Sequence, residues 1–355
     1  MTNYLLAGGG TAGHVNPLLS LADAIVADSA EHKVWALGTA EGLESRLVPA
    51  RGYELLTIAK VPLPRKLNAA ALAFPFKFIG SVMRCIGFIK SKKIDAVVGF
   101  GGYASAPAYL AARLAGVPIV VHEANALPGW ANKLGARWAA AVGTAFKDTP
   151  IRNGFFIGMP LRKEIEDLVG NRDQKSARAF FGLEPDVPTL LVTGGSLGAR
   201  RINESIDSAR KVLVAAGVQI LHIVGDKSEF MPMSEAGYLR IGYCDRMDLA
   251  IAAADVAVSR SGASTVSEFA AVGLPAVFVP YPVGNGEQAL NAAELVAAGG
   301  AEIVADKDFD SNYVASNLVS LVSDNRRLAK MASAAKSVGV ADGSQRLLTM
   351  LKGVL

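Results

Sequence analysis

The chain has 355 residues, 51% hydrophobic and 19% charged, with a formal net charge of +4. This excludes a disordered chain and, at roughly 150 residues per domain, predicts two domains that each bury a core. Only two cysteines occur, Cys85 and Cys244, far apart in sequence. They exclude a disulfide framework or a zinc site and point to a reducing compartment. The N-terminal MTNYLLAGGG lacks the basic and apolar regions of a signal peptide.

Short apolar runs alternate with helical patterns, which predicts βαβ units and parallel sheets. The first series of strands falls near Asn3–Ala7, Lys33–Leu37, Ala96–Gly99 and Pro118–His122. The second falls near Thr189–Thr193, Val218–Ile223, Asp255–Ser259, Ala276–Pro280 and Ala301–Val304. Between them, Gly154–Arg162 and the polar Lys163–Lys175 read as the linker. Each series opens with a strand running into a glycine loop, GGGTAGH at 8–14 and GGSLGAR at 194–200. The expected fold is α/β, two Rossmann-like doubly wound parallel-sheet domains facing across a cleft, over residues 1–160 and 161–337. A last helical pattern covers Arg326–Leu355, and its end, about 338–355, is free to return to the first domain.

Charge is uneven: residues 1–160 carry a balance of +7 and residues 161–355 one of −3. Residues 55–94 hold Lys60, Arg65, Lys66, Lys77, Arg84, Lys90, Lys92 and Lys93 with no acidic side chain, interleaved with Phe74, Phe76, Phe78 and Phe88. A basic, aromatic face suits an anionic membrane surface or nucleic acid. The longest charge-free candidate for a span, Ala96–Ala112, is broken by Gly99, Gly101, Gly102 and Pro107. No spanning helix is expected.

The motifs lie where predicted strands end. Gly8–Gly13 matches G-x-G-x-x-G, a turn whose backbone amides can approach a phosphate at a helix start. A ribose-binding carboxylate is missing after the second strand, where Leu37–Gly38–Thr39 stands, so a dinucleotide is disfavoured. His14 follows at the helix N-terminus, where the dipole favours neutral imidazole, either a general base or a mere capping residue. His122–Glu123–Ala124–Asn125 brings polar groups to another strand end, while His32 and His222 read as structural. Gly101–Gly102–Tyr103 offers further donors for an anion. Gly194–Gly195–Ser196 forms a second phosphate-type loop, with Arg200 and Arg201 adding charge. In Ser259–Glu268 (SRSGASTVSE) the amides of a helix start can bind phosphate and Glu268 can take a ribose diol. Gly284–Gln288 and Asn291 read as a loop suited to sugar hydroxyls. Asp308–Phe309–Asp310 spells D-x-D, but Asp310 or Ser311 reads as an N-cap rather than a metal ligand.

Eight strings occur in order: GGTAGH at 9–14, the basic aromatic stretch, GFGGYAS at 99–105, HEAN at 122–125, GMPLR at 158–162, GGSLGAR at 194–200, SGASTVSE at 261–268 and EQALNA at 287–292. With these the chain resembles, over essentially its whole length, the bacterial peptidoglycan N-acetylglucosaminyltransferases. That resemblance implies a GT-B architecture. It also implies inverting transfer of GlcNAc from UDP-GlcNAc to the MurNAc 4-hydroxyl of undecaprenyl-diphospho-MurNAc-pentapeptide (lipid I), forming lipid II. Donor contacts would fall on Thr11, Ala12, Gly13, Asn125, Arg162, Ser196, the backbone near Cys244, the segment Ala263, Ser264, Thr265, Val266, Ser267 and Glu268, and Gln288. Gly9, Gly10, Gly13, Gly101, Gly102 and Tyr103 would receive the acceptor's diphosphate. His14 matches the candidate base, with Glu123 as the fallback.

The resemblance further implies that no metal or other cofactor is required, stimulation by Mg²⁺ being left open. Phe74, Phe76, Lys77, Phe78 and Arg84 would dock on an anionic membrane, placing the enzyme on the cytoplasmic face of the cell membrane as a peripheral protein. No nucleic acid is expected, while cell-wall synthesis and division proteins are candidate partners. Two positions depart from the family pattern: Glu287 stands where a glutamine is usual, and Ala12 where a glycine is usual. The alternative is another GT-B UDP-sugar transferase acting on a lipid or natural product. An NAD-linked oxidoreductase lacks its ribose carboxylate, and an RNA-binding module leaves the polar strand ends unexplained.

Overall fold

The computed structural model describes residues 1–62, 69–195, 198–283 and 285–355. The chain divides into two compact units, Met1–Arg162 with Asp342–Leu355, and Lys163–Ala341.

The first unit is built on a seven-stranded sheet in the order β3-β2-β1-β4-β5-β6-β7. Its strands are β1 (Asn3–Ala7), β2 (Lys33–Thr39), β3 (Glu54–Ile58), β4 (Ala96–Gly99), β5 (Ile119–Glu123), β6 (Ala141–Thr144) and β7 (Gly154–Phe156), all paired in parallel. β1, β4 and β5 are buried on both faces, which is why they read as unbroken apolar runs. Helices α1 (Ala12–Asp28), α2 (Glu44–Ala50), α3 (Ala69–Ser91), α4 (Ser105–Ala115) and α5 (Trp130–Gly135) cover it.

The segment expected to begin the linker is in fact the edge strand β7. Its Gly154 fits between Ile151 and Thr144, where the nearest atom to an added Cβ would lie 2.8 Å away. The predicted last helix is two helices, Asn325–Val338 and Gly343–Lys352, separated by an extended Gly339. The second of these belongs to the first unit. Leu347, Leu348 and Leu351 join the core on one face of the sheet with Val15, Leu18 and Leu21 of α1, and Ser344 Oγ donates to the Leu161 carbonyl at 3.2 Å.

The second unit repeats the plan in the order β10-β11-β9-β8-β12-β13-β14. The strands are β8 (Thr189–Thr193), β9 (Gln219–Ile223), β10 (Met233–Glu235), β11 (Tyr238–Ile241), β12 (Val256–Ser259), β13 (Ala276–Phe278) and β14 (Ala301–Ile303). Among the described residues only the β10–β11 hairpin is antiparallel. Asp310 caps the helix that follows it, accepting from Tyr313 N–H at 2.8 Å, so this carboxylate of the D-x-D string serves the chain locally.

Helix α3 corrects the expectation that no segment is long and apolar enough to span a membrane: Leu72–Ser91 meets both criteria, with 22% of its most apolar window buried. A search for charge-free runs passes over it because Lys77 and Arg84 interrupt it.

Candidate functional site

In the first unit, β1 runs into the glycine loop and α1 begins at Ala12, which puts His14 in the first helical turn. His14 Nδ1 lies 3.1 Å from the Gly9 carbonyl and 3.3 Å from Thr11 Oγ1. A carbonyl only accepts, so Nδ1 carries the proton and the lone pair of neutral His14 sits on Nε2. Nε2 borders Gly101, where a Cβ would lie 3.1 Å from it and where φ is +95°. Glycine at 101 keeps this nitrogen open.

A cavity of about 230 Å³ opens beside it, lined by His14, Gly101, Gly102, Tyr103, Glu123 and Asn125, with Val61, Phe74, Phe78 and Trp130 forming an apolar side. Phe74 and Phe78 stack at 5.6 Å between ring centroids. Both are expected on a membrane face; half-buried, they also line this cavity. What α3 exposes is Leu72, Phe76, Ile79 and Met83, spaced along one helical face, with Lys77 and Arg84 also exposed. Arg65 and Lys66 lie outside the described residues.

Glu123 is buried and accepts from Asn125 N–H (2.9 Å), Gly129 N–H (3.0 Å) and Asn132 Nδ2 (2.9 Å). Its carboxylate therefore ties down the loop that carries Asn125. Asn132 in turn accepts from Tyr109 Oη at 2.7 Å and donates to the His122 carbonyl. His122 itself is fully buried, with Nε2 against the Gly158 carbonyl at 3.2 Å and its pKa pushed down to about 4 by burial. It belongs to the core, contrary to its place in the HEAN string. His222 is likewise internal, held by Tyr238 Oη and Asn203.

Sequence reasoning missed Glu44. This side chain is 1% exposed and accepts from Gly10 N–H, Thr39 N–H and Thr39 Oγ1, each at 2.8 Å. A Cβ at Gly9, Gly38 or Gly42 would run into its carboxyl group or stem. The sequence signal was a cluster of glycines around one acidic residue at the start of a short helix. Because Gly10 N–H is committed to Glu44, it is withdrawn from the amides expected to meet an acceptor's diphosphate.

In the second unit, β12 ends at Ser259 and a helix over Ala263–Val272 begins behind Gly262. Its first intrahelical bond is Val266 N–H to the Gly262 carbonyl. The amides of Ala263, Ser264 and Thr265 are thus left for an external acceptor at the positive end of the helix dipole. Ser261 Oγ and Ser264 Oγ are buried with no hydrogen-bond partner among the described residues. Val266 packs inward, Ser267 is half-buried, and Glu268 is 8% exposed on the second turn. Cys244 is buried after β11, beside Gly242, where added bulk would meet open space.

The segment expected as an amide-rich loop is largely helix, Glu287–Ala297. Gln288 lies in its first turn and accepts from Tyr281 N–H at 2.9 Å. Asn291 is buried and donates to the Ser261 carbonyl at 3.3 Å, which braces the serine loop. Arg200 pairs with Glu204 at 2.7 Å, so its charge is partly spent locally. Arg162 closes the first unit, half-buried. Ser196 and Gly284 lie outside the described residues.

Two glycine-loop units ending in helix-start amides fit a pair of diphosphate-bearing ligands. The model of the glycosyltransferase family 28 N-terminal domain matches residues 4–144, and that of the C-terminal domain matches residues 189–347. The chain belongs to glycosyltransferase family 28. A relative from Leifsonia xyli subsp. xyli is 56% identical, over 99% of this chain and 98% of its own length. One from Streptomyces coelicolor is 49% identical over 98% of this chain and 97% of its own. Both carry the name UDP-N-acetylglucosamine--N-acetylmuramyl-(pentapeptide) pyrophosphoryl-undecaprenol N-acetylglucosamine transferase. Among solved structures, Acinetobacter baumannii MurG superposes with a TM-score of 0.77 at 27% identity, over 99% of this chain and 100% of that one. A UDP complex of S. aureus MnaA, at 15% identity and a TM-score of 0.70 over 99% of this chain and 96% of that one, shares the fold. The family 28 enzyme is a glycosyltransferase built as a GT-B pair of parallel-sheet units, as the sequence motifs implied.

Proposed function

We propose that this family 28 enzyme transfers N-acetylglucosamine from UDP-GlcNAc to the 4-hydroxyl of the muramyl sugar of lipid I, giving lipid II. The observation that carries the reading is His14: Nδ1 is tied to the Gly9 carbonyl and Nε2 borders a cavity lined by Gly101, Gly102, Tyr103 and Asn125. In the reaction, Nε2 takes the proton of the acceptor hydroxyl as its oxygen attacks the anomeric carbon. The configuration inverts, UDP leaves, and hydrogen-bond donors meet the charge growing on its diphosphate.

In the second unit the amides of Ala263, Ser264 and Thr265 and the free hydroxyls of Ser261 and Ser264 supply those donors. Glu268 takes the ribose diol, and the backbone near Cys244 faces the uracil. Ser196 and Gln288 of the same unit belong to this donor set. Amides and hydroxyls suffice for the diphosphate, so no metal is required for turnover. Gly9, Gly13, Gly101, Gly102 and Tyr103 meet the acceptor's diphosphate, and Glu123 holds the Asn125 loop.

The exposed α3 stripe, with Lys77 and Arg84, rests on anionic lipid at the cytoplasmic face, where the acceptor resides. Each surface cation there contributes about 1 kcal/mol, less as salt rises. Cell-wall synthesis and division proteins are the partners this location offers. The identity over nearly full length to enzymes named for this reaction disfavours a natural-product transferase. Incubating the protein with radiolabelled UDP-GlcNAc and a short-chain lipid I analogue tests the reading. Label in the lipid product supports it, whereas transfer only to unrelated acceptors refutes it.

A further inference from the structure

The Gly9 carbonyl and the Gly10 N–H are two ends of one peptide group. The carbonyl end accepts from His14 Nδ1 at 3.1 Å, and the N–H end donates to Glu44 Oε2 at 2.8 Å. The order is therefore carboxylate, peptide, imidazole, with Nε2 at the open end. Glu44 is immobilised by its other oxygen, which accepts both donors of Thr39, and by glycines at 9, 38 and 42 that leave no room for a Cβ. A carboxylate on the N–H of a part-buried peptide draws its electron density toward the carbonyl oxygen, since hydrogen bonds in series strengthen one another, by about 10–30% per bond.

We propose that Glu44 is a positioning residue that acts on His14 through the Gly9–Gly10 peptide, holding the imidazole as its Nδ1–H tautomer so that Nε2 is the proton acceptor. The proposal rests on the reading of His14 as the base. It assigns to a buried carboxylate on α2 the task that an acid in direct contact with the histidine performs in hydrolytic triads. It also accounts for the three glycines around one side chain: the loop is built around Glu44, and Gly10 N–H serves the histidine rather than a ligand. Glu123 lines the same cavity as His14, and Lys60 Nζ lies 5.6 Å from the centroid of the ring of Tyr103, which lines it too. Among the described charged groups, Glu44 alone is bonded to the peptide that sets the tautomer.

The test is ¹⁵N-histidine NMR of the full chain, with the four histidines told apart by single substitutions. His122 and His222, pushed down to about 4 and about 3 by burial, stay neutral through a scan above pH 5. Neutral His14 is expected to show a protonated Nδ1 and an unprotonated Nε2. In Glu44→Gln the amide can accept from only one side and turns its NH₂ toward Gly10 or Thr39. The expected result is a mixture of His14 tautomers and a loss of kcat of about 10–100-fold, the scale known for outer partners of metal-bound histidines. A folded Glu44→Gln protein with the wild-type tautomer and kcat overturns the proposal.

If that variant does not fold, the wild-type chain still decides. The Gly9 carbonyl ¹³C and Gly10 amide signals should move with the His14 titration, and their constancy overturns the relay. The two readings separate cleanly. Full turnover in His14→Ala removes the base and leaves the tautomer result standing, whereas a Glu44→Gln variant that behaves as wild type removes only the relay.

Discussion

Gly102 lies so close to Gly9 that a Cβ on it would come 2.5 Å from the Gly9 carbonyl oxygen, the same oxygen that holds His14 Nδ1. The two glycine loops of the first unit are thus interlocked at the atom that orients the histidine. Gly102 also has φ +79°, where a side chain costs roughly 1–2 kcal/mol. Gly102→Ala should displace the Gly9 carbonyl, lowering kcat at least about tenfold on the scale of lost orientation. Steady-state kinetics with both substrates varied checks this. The KM for UDP-GlcNAc should move less than kcat.

The donor side is tested at Glu268, 8% exposed on the helix that starts with unpaired serine hydroxyls. Hydrogen bonds to a charged group are worth about 1.5–3 kcal/mol. Glu268→Ala should therefore weaken UDP binding about 10–100-fold in titration calorimetry, with Tm little changed. Unaltered UDP affinity would remove Glu268 from the ribose.

For the membrane face, Phe76→Ser combined with Lys77→Glu removes one exposed ring and reverses one charge on α3. Co-sedimentation with vesicles containing anionic lipid should fall, and added salt should lower wild-type binding as well. Turnover on a water-soluble acceptor analogue should persist, because neither side chain lines the cavity.

Acid stability reports on Glu44. Burial pushes its carboxyl up, but the amides of Gly10 and Thr39 outweigh this and hold it below the ordinary value of 4.5. A depressed folded value means that the stabilisation is present above about pH 4.5 and is lost as pH falls through the folded value. The Tm difference between wild type and Glu44→Gln should be largest near neutrality and shrink below about pH 4. A difference that grows on acidification would reverse the assignment.

The sequence made the long buried strands and the glycine loops legible, because strands covered on both faces leave continuous apolar runs and helix-start loops leave glycines. It did not reveal β3, whose ELLTI is only partly buried, nor β6, β7, β10 or β11, which are three or four residues long and carry glycine or polar residues. His122 was misplaced because a strand end and a buried strand interior differ by one residue of register. The cavity beside Phe74 and Phe78 was not legible for a related reason: composition cannot show that Phe76, two residues from each, is exposed while they line a cavity. Glu44 was invisible because its partners, Gly10 and Thr39, meet it only after β1 and β2 pair.

The most direct measurement is the single-turnover rate of His14→Ala with both substrates saturating. Loss of the proton acceptor should slow transfer by about 10²–10⁴-fold while UDP-GlcNAc still binds. Transfer at the wild-type rate would show that the nitrogen beside Gly101 takes no proton, and the account of this site would fail.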